Sequence, residues 1–543
     1  MFLVWSAKRF RVTLQTPYLG THRWLLLAAV GGLSLLVYWL GLLAPYSLEA
    51  LKLRPLLDIA KLTRGRPGAQ INFMLAFAAL SCLYYLAWRV CRSVGSDARQ
   101  RRAVWLALVA SLLAINLSML WLYPIGAADL FDNIVHGRIT AQHGGNPFYD
   151  LPRGYPQDPF IRYAAWPRSP SAYGPGWELI AAATSHLAGD DRLANVLAFK
   201  LMGLVFYAGC SALIAVILNR RAPERALAGV CLFAWNPLVI YETAGNGHND
   251  VVMVFWILLA MYATVRGRSM WAALALTVGA LIKFIPVLLL PVVIAAGLRA
   301  ISGWRARLLF LLRAGLACAA LALAFYLPFW RGGDPLSVQR RAAMFTTSLP
   351  AFVQAQLEPR LGVETSRSVV AWAALALTGA VVIWQTWRVW RTPIPSSAVP
   401  GRGGEAGVGE VIRASTVILL FYLIFTCLWF QGWYSLWPLA LAALLPEGAL
   451  AQTAVLLSYT ALWKTIFFDF FLYRGGPIPP RLWRETLLGP ATLGLVWSYV
   501  GYWLIANFGR LREVLVETRH ALSAAEGGGG APGGGASLRG FNP

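Results

Sequence analysis

Apolar runs of about 20 residues alternate along this chain with short polar and basic clusters, a length that lets a helix cross about 30 Å of hydrocarbon. The runs at 24–43, 103–123 and 308–330 are nearly free of charge and predict spanning helices. Further helices are predicted near 71–90, 193–218, 227–241, 250–265, 368–390, 411–429, 434–450, 451–467 and 487–508. Two apolar stretches do not fit single spans. Residues 177–188 are too few to cross and read as a re-entrant or interfacial half-helix. Residues 270–298 are too many, and Lys283-Phe284-Ile285-Pro286 interrupts them, which fits a hairpin of two short helices. Non-helical backbone at membrane depth is tolerated only within protein or beside a cavity, so this break points to a site.

The pattern predicts an all-α, polytopic integral membrane protein with about 12 to 14 membrane segments. An N-terminal segment, 1–23, precedes a helical domain, 24–508, that carries two large polar loops, 124–175 and 331–367. The tail, 509–543, includes a glycine-rich run at 527–535 that has no means of forming a core and is expected to be disordered. The first apolar run is too long for a signal-peptide core and is read as a retained anchor.

Composition agrees with the pattern: 58% of the 543 residues are hydrophobic and 13% charged, and a mean hydropathy of +0.57 excludes an ordinary soluble domain. A net charge of +23 would point to nucleic acid in a soluble protein. Here the basic residues fall in short clusters between apolar runs, where positive-inside sorting puts them. Lys8, Arg9, Arg11 and Arg23, with the clusters at 89–102, 219–226, 266–268, 299–307 and 388–413, assign both termini to the cytoplasm. The loops 124–175, 244–250, 331–367 and 431–434 then lie outside. Segment 45–70 disagrees, being external by parity yet carrying Lys52, Arg54, Lys61, Arg64 and Arg66. Leucines among those charges fit a segment lying in the headgroup layer. The six cysteines sit in or at the edges of apolar runs, without metal-ligand spacing, so neither a disulfide nor a metal is inferred.

Candidate chemistry gathers on the external side. Asp129 and Asp132 follow the third helix and are three residues apart, on one face of a helix. A carboxylate at the membrane rim is suited to take a proton from an acceptor hydroxyl, although both acids can equally cap a helix or pair with Arg138. His136, Asn146, Tyr173 and Trp177 lie in or beside Gly- and Pro-rich turns with aromatic faces, which serve either as sugar contacts or as turn punctuation with interfacial anchors. In Gly247-His248-Asn249-Asp250, one residue caps the helix that follows, and His248, Asn249 and Asp250 with the helix amides can hold a phosphate or a sugar hydroxyl. Lys283 is the most isolated cation of the chain. It either snorkels to headgroups or meets an anion in a cavity. Arg138, Arg340 and Arg341 are further candidates for the same anion.

These segments, in this order over roughly residues 100–450, resemble the GT-C glycosyltransferases, and among them the polyprenol-phosphate-mannose-dependent mannosyltransferases. The resemblance rests on Asp129 through Arg138 leading to Gly145-Asn146-Pro147-Phe148, on Tyr173-Gly174-Pro175, on Asn236-Pro237 before Gly247-His248-Asn249-Asp250, and on Lys283 with Pro286. It implies an inverting transfer of a hexose, mannose by resemblance alone, from a polyprenyl-phosphate donor to a glycan or glycolipid acceptor, without a cofactor. It also implies that Asp129 is the base in the first external loop. Where related enzymes carry aromatic residues after that acid, this chain has Asp132 and Asn133, which leaves the choice between Asp129 and Asp132 open. A lipid or polysaccharide transporter and a lipid-diphosphate-dependent polymerase or ligase are the rival readings.

Overall fold

The structure, a computed structural model, describes residues 22–331, 344–392, 405–465, 468–470 and 481–507. Lys8, Arg9 and Arg11, the pair Arg340 and Arg341, and the glycine-rich tail lie outside the described residues. Within them the chain is an all-α membrane protein, and its β contacts are two isolated bridges, Ser47 with Leu122 and Thr346 with Trp429. Seven helices are long and apolar enough to span: Arg23–Tyr46, Pro67–Arg92, Ala98–Met119, Arg192–Arg221, Trp304–Phe329, Val363–Arg391 and Gly407–Thr426. All seven match expected runs to within about five residues at either end. Asp250–Val265, Ser269–Ile282 and Ile285–Arg299 are shorter. Full-length spans among the described residues are therefore fewer than the about 12 to 14 segments that hydropathy implies.

Apolar residues face outward as well as inward, as expected where lipid is the solvent. The Trp304–Tyr326 helix exposes Leu308, Leu312, Leu316 and Leu323 and buries only Ala314, so it runs along the periphery. The helices packed around Asp250–Val265 form the interior, where Val251, Val252, Met253, Val254 and Leu258 are fully buried.

One predicted helix is broken. Pro223–Ala234 and Pro237–Gly245 meet at an angle of 52°. Pro237 lacks an N–H and cannot continue the ladder of the preceding turns, while the Asn236 side chain accepts the Leu238 N–H and restarts the helix. The second half then widens into a π-turn, Tyr241–Gly245. The stretch read as a hairpin does fold back. Ser269–Ile282 ends at Lys283, and Leu290–Arg299 returns beside it, Gly297 lying against Ser269.

The first large loop is no loose excursion. It folds into the helix Asp129–Ala141, two 3-10 turns and the short helix Pro175–Ala188, which packs on Asp129–Ala141. Segment 45–70 docks on the same region. Leu48 N–H donates to the Trp121 carbonyl, Ile59 N–H to that of Ile125, and the Tyr163 hydroxyl to that of Leu53. The broken helix 223–245, Asp250–Val265 and the 269–299 hairpin share one polarity: the 246–249 turn and Lys283 sit at one end and Arg225, Arg266 and Arg299 at the other, where Arg92 joins Arg225 on Glu447.

Candidate active site

Asp129 and Asp132 occupy the first turn of the Asp129–Ala141 helix, where free N–H groups and the positive end of the helix dipole favour carboxylates. Every residue from 130 to 139 is buried, whereas Asp129 keeps partial access. Asp132 is 7% exposed, and its Oδ1 accepts the Trp166 backbone N–H at 3.0 Å. The two acids, equivalent in sequence, thus differ in structure. Asp132 fastens the 164–170 loop, and Asp129 stands at the mouth.

Arg138 anchors the same helix. Its Nε donates to Asp158 at 2.9 Å, one terminal nitrogen to Asp190 and the other to the Gly189 carbonyl, both at 2.7 Å. Asp158 also takes the Phe160 N–H and stands 2.8 Å from His143 Nε2. All three guanidinium nitrogens of Arg138, a candidate for the anion, are thus engaged within the fold. His136, Asn146 and Trp177 are likewise interior. His136 Nε2 lies 3.4 Å from the Ser169 carbonyl, the Asn146 amide donates to the Phe329 carbonyl at 2.6 Å, and the Trp177 indole donates to Asn133 at 3.1 Å. Of the four proposed sugar contacts only Tyr173 remains partly open.

The π-turn presents Glu242, 6% exposed, toward the following turn. Its Oε2 accepts the Asn246 amide at 2.8 Å, and Asn246 Oδ1 accepts the Gly126 N–H at 3.0 Å, which ties this turn to the approach into the acid helix. Gly247 has φ +72, and a Cβ there would lie 2.9 Å from Leu130 Cδ1. Only glycine combines that left-handed backbone with so close an approach. His248 follows, with Nδ1 2.9 Å from Glu242 and its ring stacked on Trp433 at 3.9 Å. Burial lowers the His248 pKa, but the Glu242 charge and hydrogen bond, with Asp129 and Asp250, outweigh it and raise the value above the usual histidine range. The charged form of His248 therefore persists to higher pH than in an ordinary histidine, and Asp129 is close enough to act on it.

Lys283 does meet an anion, and that anion comes from the chain. Its Nζ lies 2.8 Å from Asp250 Oδ1, which also accepts the Trp437 indole N–H at 2.6 Å. The ammonium faces the rings of Tyr434 at 4.9 Å, Tyr173 at 5.4 Å and Trp437 at 5.6 Å, a cation–π enclosure. Gly174 builds one wall: its N–H donates to the Ile282 carbonyl, and a Cβ would fall 2.1 Å from the Leu281 oxygen. That contact sets Tyr173 over Lys283. Asn249 Nδ2, Asp250 Oδ2 and His248 Nε2 are buried without a hydrogen-bond partner among the described residues.

Sequence reasoning brought together Asp129, Asp132, His248, Asn249, Asp250, Lys283 and Tyr173, and missed four side chains around them. Glu242, Trp433 and Trp437 belong to the site itself. Lys200 lies beneath the Gly247 turn, its ammonium donating to the Leu120 and Leu122 carbonyls. The signal for Glu242 and Lys200 was the one used for Lys283, a charge in an apolar run. A fifth omission, Glu178, is fully buried at the start of the Pro175–Ala188 helix. Burial lifts its carboxyl to about 7 against the hydrogen bond from the Ser171 hydroxyl.

The arrangement brings a partly open carboxylate near the buried His248 and, beyond it, the part-buried Lys283, each of the two paired with an acid. It can remove a proton on one side and compensate negative charge on the other. Residues 28–299 match the family described as alpha-(1->6)-mannopyranosyltransferase, N-terminal domain. Alpha-(1->6)-mannopyranosyltransferase B of Corynebacterium glutamicum is 29% identical over 153 residues, 27% of this chain and 25% of that protein. Alpha-(1->6)-mannopyranosyltransferase A of Mycobacterium tuberculosis is 24% identical over 235 residues, 42% of each chain. The matches thus span a quarter and somewhat under half of these relatives. No solved structure matches the chain significantly.

Proposed function

The chain belongs to the alpha-(1->6)-mannopyranosyltransferase family, and on that premise we propose that it transfers mannose, with inversion, from a polyprenyl-phosphate donor to a glycan or glycolipid acceptor. The observation that carries this reading is that His248 lies between Asp129 on one side and Asp250, with its partner Lys283, on the other. The Asp129 carboxylate takes the proton of the acceptor hydroxyl while the hydroxyl oxygen attacks the anomeric carbon. The bond from that carbon to the phosphate oxygen breaks on the opposite face, and its electron pair leaves with the polyprenyl phosphate. Charge on the leaving phosphate grows as the bond breaks, so the His248 imidazolium and the Lys283 ammonium stabilise the transition state more than the ground state. An ammonium carries three donors, and Asp250 takes one of them.

The sidedness proposed is the outer face. Arg92, Arg221, Arg225, Arg266 and Arg299 close the helix ends away from the site, and positive-inside sorting retains such ends in the cytoplasm. Both termini then lie inside. The reading is tested by incubating the purified full chain in detergent with polyprenyl-phosphate mannose and a short mannose oligosaccharide, then following the linkage and anomeric configuration of the product. A new α-linked mannose from a β-linked donor supports it. Movement of the lipid across a vesicle without any sugar transfer marks a transporter, and transfer only from a lipid diphosphate changes the donor.

A further inference from the structure

His136, Asn146 and Trp177, three of the residues offered for sugar contact, are interior, yet two other aromatics lie beside the acids, one exposed and one half-buried. Trp166 is 38% exposed, and its own backbone N–H is the one received by Asp132. Its ring meets that of Trp429 edge to face, centroids 6.4 Å apart at 62°. Trp429 is half-buried in the extended stretch before the Gly432–Ser435 turn, and the backbone bridge to Thr346 fixes it from the other side. Its indole nitrogen has no hydrogen-bond partner among the described residues. Four positions further on, Trp433 stacks on His248. The segment therefore carries one indole to the acid side of the site and another to the cationic side.

We propose that Trp166 and Trp429 form the acceptor subsite and bind the terminal pyranose of the glycan or glycolipid that receives the sugar. This rests on the transferase reading. A pyranose has one face rich in C–H bonds and a rim of hydroxyls, and an indole has the matching character, an apolar face with one N–H donor at its edge. Two such rings at an angle make a corner, whose exposed part is the Trp166 ring. The Trp166 backbone is fastened to the helix turn that carries Asp129, so a sugar seated on this corner is held in register with the base. Proximity of that kind lowers the barrier without adding a chemical group.

The test uses the purified full chain with polyprenyl-phosphate mannose as donor and a short mannose oligosaccharide as acceptor, comparing W166A, W429A and W429F with wild type. The acceptor KM is expected to rise about tenfold in the alanine variants, while the donor KM and the slow hydrolysis of donor by water stay unchanged. In W429F, which keeps an aromatic face and loses the N–H, a smaller rise is expected. Calorimetric titration of the oligosaccharide without donor is the independent arm, and its binding should weaken in parallel. Binding that weakens in an enzyme without transferase activity leaves the subsite standing and removes the transferase reading. Unchanged acceptor KM and binding in both alanine variants, a raised donor KM, or no oligosaccharide binding to wild type each overturn the subsite. The first of these outcomes makes Trp166 a lipid-interface anchor.

Discussion

Two largely buried charge clusters are finished to different degrees. Around Arg138 the cluster is closed: Asp158, Asp190 and the Gly189 carbonyl take its donors, Asp158 is shared with Phe160 and His143, and the guanidinium lies over the Phe160 ring at 4.9 Å. Around Lys283 and His248 the cluster is open. Asp250 Oδ2, Asn249 Nδ2 and His248 Nε2 lack partners among the described residues, although all three are buried. A buried polar atom left unpaired costs free energy, and native structures keep few of them. The lesson is that burial and charge do not separate scaffold from chemistry, whereas the completeness of the hydrogen bonding does.

Substitutions can break that contrast, and the largest effect is expected on stability. Arg138→Ala and Lys283→Ala each remove one partner of a buried ion pair, at a cost of about 3–5 kcal/mol, read by thermal unfolding in detergent. The clusters part in what survives. Folded Arg138→Ala protein should keep its turnover per molecule. Lys283→Met combined with Asp250→Asn should recover stability and still turn over poorly, because the leaving phosphate has lost a cation. Equal turnover in Arg138→Ala and in the Lys283→Met, Asp250→Asn double variant would erase the distinction.

Next in size, Asp129→Asn should slow transfer by roughly 10²-fold or more with donor binding intact. Asp132→Asn should be milder, since an amide oxygen can still accept the Trp166 N–H. Single-turnover rates and donor binding measured on both variants decide the matter, and the reverse ranking would exchange the two roles. The smallest effect is a displacement in pH. His248 is raised above its usual value by Glu242, Asp129 and Asp250, with Lys283 bound to the last of these and opposing them. A raised value means the charged form persists to higher pH than in an ordinary histidine and is lost as pH climbs through it. Activity that depends on the imidazolium therefore falls on the alkaline side. Glu242→Gln leaves burial to dominate, so that alkaline limb should move to lower pH in the rate profile. A limb that does not move would assign the limb to another group.

What was legible in the sequence was whatever one segment can specify alone. The helix 250–265 is found where its apolar run begins and ends, and the break at Lys283 is found because an ammonium and a proline in an apolar run admit few explanations. What was not legible lay between segments. Nothing near Arg138 in sequence announces Asp158 and Asp190 as its partners, and nothing near Lys283 announces Asp250. The bend at Asn236 carried its own signal in the Asn-Pro pair, but the π-turn after it did not, and that turn is what points Glu242 at His248. Trp166 and Trp429 are 263 positions apart, so only the fold could pair them.

One of these long-range contacts bears on how the chain can be divided. The Trp437 indole donates to Asp250, and Trp433 covers His248, while the family match ends at residue 299. A boundary drawn there by likeness is not one along which the molecule comes apart. A fragment cut after 299 would keep every ionisable side chain of the site and lose the aromatic surfaces that shield them from lipid and water. Engineering a new specificity by grafting the second half from a relative would accordingly have to carry 429–437 as inherited parts of the first half.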